Sequence, residues 1–388
     1  MVEIALPNAD RTITAYTLTG APLPFERHRA SQFPRIAYAA AHVVADPLAD
    51  NDPWVTPAIN WDRTLAFRHR LWDLGLGVAE AMDTAQRGMG LGWAEAKELI
   101  RRAQAEARSR DDALIAYGAG TDHLMPGPDV TIDQIIAAYE EQIGFVESEG
   151  GRVILMASRA LAKAARSPAD YARVYGRILS QVKQPVIMHW LGEMFDPALE
   201  GYWGKGTHDE AMDVCLAVIA AHADKVDGIK ISLLSAGKEI EMRRRLPASV
   251  KMYTGDDFNY AELIAGDDHG YSHALLGIFD AIAPVASAAL SALGRGSKNE
   301  FHELLVPTVP LSRHIFKAPT RFYKTGIVFL AYLNGLQDNF SMIGGQESAR
   351  SSQHLSELFR LADKARVLAD PALAVDRMQR VLAVHGIG

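Results

Sequence analysis

The 388-residue chain predicts an α/β fold: a (β/α)8 TIM barrel with an N-terminal extension and a C-terminal helical extension. Three observations lead there. Short apolar segments of strand length alternate with amphipathic helical stretches about eight times between residues 35 and 295, the number of units that closes such a barrel. The strands are apolar along their length, as strands of a parallel sheet covered by helices must be. No Gly-x-Gly-x-x-Gly follows the first strand, which removes the main support for an open doubly wound sheet with a dinucleotide site.

Residues 1–34 form the N-terminal extension. Thr12 to Leu18 alternates, Gly20 breaks the pattern, and Pro22 and Pro24 follow, which predicts a small hairpin or cap. The first barrel strand starts within Arg35–Val44. The next seven are expected at Gly77–Met82, Ala113–Tyr117, Arg152–Met156, Pro185–His189, Val226–Ser232, Val250–Tyr253 and Gly270–His273. Two intervening helices announce their starts: Thr131 with Gln134 has capping-box spacing, and Ser167-Pro168 places a cap ahead of a first-turn proline. Beyond residue 295 the alternation stops. Residues 296–388 read as helices, with Arg321–Gln337 strongly apolar and Ser352–Ala369 and Val375–Val384 amphipathic, expected to pack on the barrel or at a subunit interface.

A net charge of -7 and the absence of a basic run longer than Arg243-Arg244-Arg245 argue against nucleic acid as a partner. Cys215 is the one cysteine, so neither an intrachain disulfide nor a cysteine metal cluster can form, and its helical setting suits a small buried apolar residue. No apolar span reaches membrane length, and Met1–Asp10 lacks a basic stretch followed by an apolar one, so the expectation is a cytoplasmic protein with no membrane partner.

The chemical anomaly is Lys230, inside the sixth strand. A buried ammonium without a partner tends to lose its proton and become a nucleophilic amine, the chemistry of Schiff-base enzymes. The alternative is a lysine that snorkels to solvent or pairs with a carboxylate. In a barrel of this kind, reacting groups stand at the C-terminal strand ends. Those ends carry Asp83, Thr84, Gln86 and Arg87, then Thr121, Asp122 and His123, then Ser158 and Arg159, then His189, Lys230 with Ser232, Asp256 with Asp257, and His273.

Gly228-Ile229-Lys230, Tyr253-Thr254-Gly255-Asp256-Asp257 and His269-Gly270-Tyr271-Ser272-His273 resemble, in order and spacing, the last three strands of the dihydrodipicolinate synthase and N-acetylneuraminate lyase family of class I aldolases. Pro185–His189 takes the place of that family's Pro-x-x-Leu-Tyr strand, and Asp83–Gly88 that of its Gly-Thr-Thr-Gly-Glu loop. The resemblance spans residues 35–295, with a partial echo in the Lys324-Thr325-Gly326 helix, and points to a divergent, uncharacterised branch. His189 stands where the family has its proton-shuttling tyrosine, Ala85 replaces a hydroxyl residue, Ser158-Arg159 stands near the position of a tyrosine pair, and no arginine follows the fifth strand.

The resemblance implies a lyase or aldolase in which Lys230 forms an imine with a small 2-oxo acid or keto-sugar-derived substrate. His189 and Thr84 would move protons. Thr84 and the amides of Ala85 and Gln86, with Asp122, Ser232, Asp256 and His273, would bind substrate. No cofactor is expected, and a homo-oligomer is. Two other readings stand beside it: a divalent-metal isomerase or hydrolase with His189, His273, Asp122 and Asp256 as ligands, or a barrel that binds a ligand without catalysis.

Overall fold

The computed structural model describes residues 2–387, so the two terminal residues of the expected extensions lie outside it. The chain opens with an antiparallel hairpin, β1 (Glu3–Pro7) and β2 (Ile13–Thr17). Eight parallel strands then close a barrel: β3 (Ala37–Ala40), β4 (Gly77–Glu80), β5 (Ile115–Ala119), β6 (Val153–Leu155), β7 (Val186–Leu191), β8 (Val226–Ser232), β9 (Lys251–Thr254) and β10 (His273–Leu276), with β10 pairing back onto β3. Both anticipated helix starts form. Thr131 Oγ1 accepts from the Gln134 N–H while Gln134 Oε1 accepts from that of Thr131 (2.8 Å), and Asp170 accepts from the Ser167 N–H ahead of helix Pro168–Gln181.

One strand is displaced from its expected place. The eighth was expected at Gly270–His273, but β10 begins at His273 and runs to Leu276. Ala274-Leu275-Leu276 leads without a turn signal into the helices Ile278–Ala281 and Ala283–Gly294, so the apolar run hides the strand's end. The shift moves His273 from the C-terminal to the N-terminal end of its strand.

Side chains fill the lumen. Tyr38, Ala79, Met82, Ala116, Ile154, Met156, Ile187, Tyr253 and Leu275 form one buried cluster. Gly228 makes room for it: a Cβ there would meet Lys251 O and the Tyr253 ring at 2.6 Å. At the floor, where the strands begin, Asp227 binds Lys251 (2.7 Å), Arg152 (2.9 Å) and the Tyr253 hydroxyl (2.8 Å). Between barrel and helices, Arg68 holds Glu80 in a fully buried two-pronged pair, both contacts 2.8 Å, and this fixes helix Trp61–Asp73 to β4.

The C-terminal helices belong to the same packed body. All eleven residues of helix Tyr323–Leu333 are buried, in one apolar cluster with helices Ile278–Ala281, Ser352–Lys364 and Pro371–Val384. Asp363 ties the N-terminal segment to them, accepting from the Tyr16 hydroxyl (2.8 Å) and from the Thr19 and Gly20 N–H groups. No helix among the described residues is long and apolar enough to cross a membrane.

Candidate active site

Lys230 lies on β8 with its chain pointing into the upper barrel. Its neighbours in register are His189 on β7 and Tyr253 on β9. The residue is 7% exposed, and its amine has no hydrogen-bond or ion-pair partner among the described residues. Gly255 at the end of β9 leaves it room, since a Cβ there would come within 2.7 Å of Lys230 Cε. Burial lowers the pKa of the amine, and the carboxylates of Asp257 and Asp83 partly offset that effect. Asp257 is the reciprocal case: burial pushes its carboxyl up to about 7, against the pull of Lys230 and a hydrogen bond from the Ile278 N–H (2.9 Å). Burial thus disfavours the charged form of both members of this pair, the ammonium of Lys230 and the carboxylate of Asp257.

His189 is buried and its Nε2 is 3.2 Å from Ser232 Oγ at the end of β8. Burial, and then the neighbouring Lys230, hold its pKa well below the usual histidine value, so it is a neutral imidazole. Lys230, His189 and Ser232 thus come together as the sequence suggested.

Thr84 also reaches the mouth, within the single turn Asp83–Ala85 that follows β4, and its Oγ1 is 2.8 Å from the hydroxyl of Tyr323. This tyrosine, the first residue of the buried C-terminal helix, was missed by sequence reasoning because a helix 240 residues downstream gives no sign of entering the mouth. It carries a phenol to the mouth that holds His189.

Several expected binding residues have other work. The Ala85 N–H donates to Met82 O (3.0 Å) and that of Gln86 to Asp83 O (2.9 Å), so neither amide is free for a substrate carboxylate. The Gln86 side chain instead staples Ile343 to the mouth, accepting from its N–H at 3.0 Å. Asp256 is a cap that accepts from the N–H groups of Phe258 (2.8 Å) and Asn259 (3.0 Å) and from the Asn259 side chain. Asp122 is clamped by Arg87 in a two-pronged pair, 2.8 and 3.0 Å, and by Gln142; burial opposes its ionisation, but these partners hold its pKa below the usual value.

His273 is a correction. It stands at the floor, where its Nδ1 accepts from the Ile36 N–H (3.0 Å) beside Tyr253 and Tyr271. The four residues considered as metal ligands are therefore not brought together, and no group of three or more His, Cys, Asp or Glu side chains among the described residues has metal-binding geometry.

Two cavities of about 330 and 310 Å³ open at the mouth. His189, Asp122 and Thr121 line the smaller; Trp54, Tyr323 and Lys324 line the larger; Asp83, Arg159 and Asp196 stand between them and border both. Asp83 makes no side-chain hydrogen bond among the described residues, although its charge acts on Lys230, Lys324 and Tyr323. As a residue on a strand-end turn it was visible in the sequence, but only the fold sets it between two buried amines.

Residues 4–387 match the family described as "Protein of unknown function (DUF993)". No curated protein matches the chain. Solved structures sharing the fold include YagE, a prophage protein of the dihydrodipicolinic acid synthase family from E. coli K12 in complex with pyruvate (TM-score 0.65, 15% identity, 86% of this chain and 99% of that one). Others are the 4-hydroxy-tetrahydrodipicolinate synthase of Methylacidiphilum fumariolicum SolV (0.63, 14%, 89% and 99%) and the dihydrodipicolinate synthase of Oceanobacillus iheyensis (0.61, 16%, 85% and 97%).

Proposed function

The chain belongs to the DUF993 family, whose description assigns no activity, and from the chemistry of its barrel mouth we propose that it is a Schiff-base-forming lyase or aldolase acting on a small 2-oxo acid or keto-sugar-derived substrate. One observation carries the reading: Lys230 is a strand-borne amine, buried, without a hydrogen-bonded partner among the described residues, and in register with His189 near the end of the barrel where reacting groups gather.

The neutral amine of Lys230 attacks the ketone carbon, and the resulting carbinolamine takes a proton on its hydroxyl and loses water to leave a protonated imine. That cation draws electrons from the adjacent carbon. Loss of a proton there gives an enamine that adds to an aldehyde carbon, while cleavage runs the same steps in reverse. The alkoxide formed on the aldehyde oxygen takes up the proton released earlier. Neutral His189, steadied by Ser232, can accept and return protons on one side of Lys230. The Tyr323–Thr84 hydroxyl pair at the same mouth offers a second donor. Asp257 can hold, as a neutral carboxyl, the proton that the amine gives up.

The test is reductive trapping. Borohydride added with pyruvate, the keto acid in the YagE structure, or with longer 2-oxo acids, should leave a secondary amine on the peptide holding Lys230. Lys230→Ala should fold and be inert to both labelling and turnover. Turnover that survives in Lys230→Ala disproves the mechanism.

A further inference from the structure

A second buried lysine stands at the mouth. Lys324 follows Tyr323 on the buried C-terminal helix, is 5% exposed, and lines the larger cavity. Its amine meets no oxygen: the single polar contact among the described residues is the Met89 sulfur at 3.3 Å. Asp83 and Asp196 act on it from a distance, yet neither comes within ion-pairing range, and Asp196 is already bound to Arg159 Nε.

Two more cations border the same space. Arg159 spends only Nε on Asp196; its Nη1 and Nη2 face Gly88, where a Cβ would sit 3.3 and 3.6 Å away, and they have no protein acceptor among the described residues. Arg321 rests against the Phe322 ring at 4.8 Å, also without an acceptor there. Burial lowers the pKa of the Lys324 amine, so an entering oxyanion would supply the counter-charge that holds it as an ammonium, beside two guanidinium groups that face the same space. Asp83 borders both this cavity and the adjoining one lined by His189, the register neighbour of Lys230.

We propose that Lys324, Arg159 and Arg321 form a subsite for the anionic end, a carboxylate or a phosphate monoester, of the electrophile that meets the Lys230 adduct. The aldehyde partner is thus an acid or a phosphate ester and not a neutral sugar fragment. The assignment rests on Lys230 as the imine-forming residue, but the binding itself can be measured apart from it.

Two arms test the subsite. In the first, acetate and inorganic phosphate are titrated by calorimetry into wild-type enzyme and into enzyme whose Lys230 has been capped by borohydride-trapped pyruvate. One of the anions should bind, and Lys324→Gln should weaken it at least tenfold, with Arg159→Gln as the second variant should the first not fold. In the other arm, pyruvate-dependent consumption of glyceraldehyde, glyceraldehyde 3-phosphate and succinic semialdehyde is compared. The anionic aldehyde that matches the bound anion should have the lower KM, and Lys324→Gln should raise its KM relative to that of glyceraldehyde by 10-fold or more. Preference for succinic semialdehyde assigns a carboxylate, and preference for the phosphate assigns a phosphate ester. Anion binding that is absent, or equal in wild type and variants, overturns the subsite. So does a borohydride label on Lys324, which would make it the nucleophile. If Lys230 takes no label while anion binding still depends on Lys324, the subsite stands and the imine mechanism falls.

Discussion

Lys251 and Lys230 sit on adjacent strands of one barrel at opposite ends. At the floor, Lys251 is 2.7 Å from Asp227, which also binds Arg152 and Tyr253, so both cations have a carboxylate partner. At the mouth, Lys230 and Lys324 are more deeply buried and bind no carboxylate among the described residues, while Asp83, whose charge acts on both, makes no side-chain hydrogen bond there. The floor is an ion network that holds strand ends together. The mouth leaves the same residue types unsatisfied, a cost to stability that makes sense where a ligand completes them.

The largest expected effect sets the two lysines directly against each other. Lys230→Ala should abolish turnover and borohydride labelling, whereas Lys251→Ala should keep both and lose no more than about 1 kcal/mol of stability, as befits a partly exposed ion pair. Loss of labelling in Lys251→Ala with a normal melting curve would break the contrast. Next, His189→Phe should retain imine formation but lose about 10²–10⁴-fold in kcat, the usual share of a general acid–base group. Unchanged kcat would return His189 to the core. Tyr323→Phe removes one hydroxyl hydrogen bond, worth about 1 kcal/mol, and should lower kcat by roughly tenfold or less, with labelling intact.

Two smaller effects belong to the floor. Asp227→Asn should lower the melting temperature, at a cost of about 1–3 kcal/mol, while kcat stays near the wild-type value. For His273, burial holds the pKa at about 4, well below its usual value. The folded state therefore binds this proton less readily than the unfolded chain, and the contribution to stability is complete above about pH 6.5 and lost as pH falls through about 4. Protonation would also cost Nδ1 its bond from the Ile36 N–H. His273→Gln should flatten this part of the melting temperature against pH, and a variant with an unchanged slope would show that another group governs it.

The barrel was legible because each strand is a short apolar run bounded by polar segments, and the Thr131–Gln134 cap is written in four residues. Lys230 was legible for the opposite reason, as a charge inside an apolar run. The place of β10 was not, because Ala274–Phe279 runs from strand into helix with only Gly277 between its apolar residues; His273 was misplaced with it. The roles of Asp256 and Asp257 were divided by a single-residue difference in direction: one faces its own turn and the other the lumen. Tyr323 and Lys324 belong to a helix whose apolar run signals burial, and burial alone does not say that its first turn borders a reaction site.

That last feature has a consequence for the order in which the protein is made. A ribosome releases every strand of the barrel, with Lys230 and His189, well before residues 323 and 324 emerge. During that interval the nascent barrel exposes the apolar surface that the final helices will cover, and it has the nucleophile without the Tyr323 hydroxyl or the Lys324 amine beside it. A reactive amine is thus present before the groups that would direct it, and docking of the last helices both shields the core and completes the mouth.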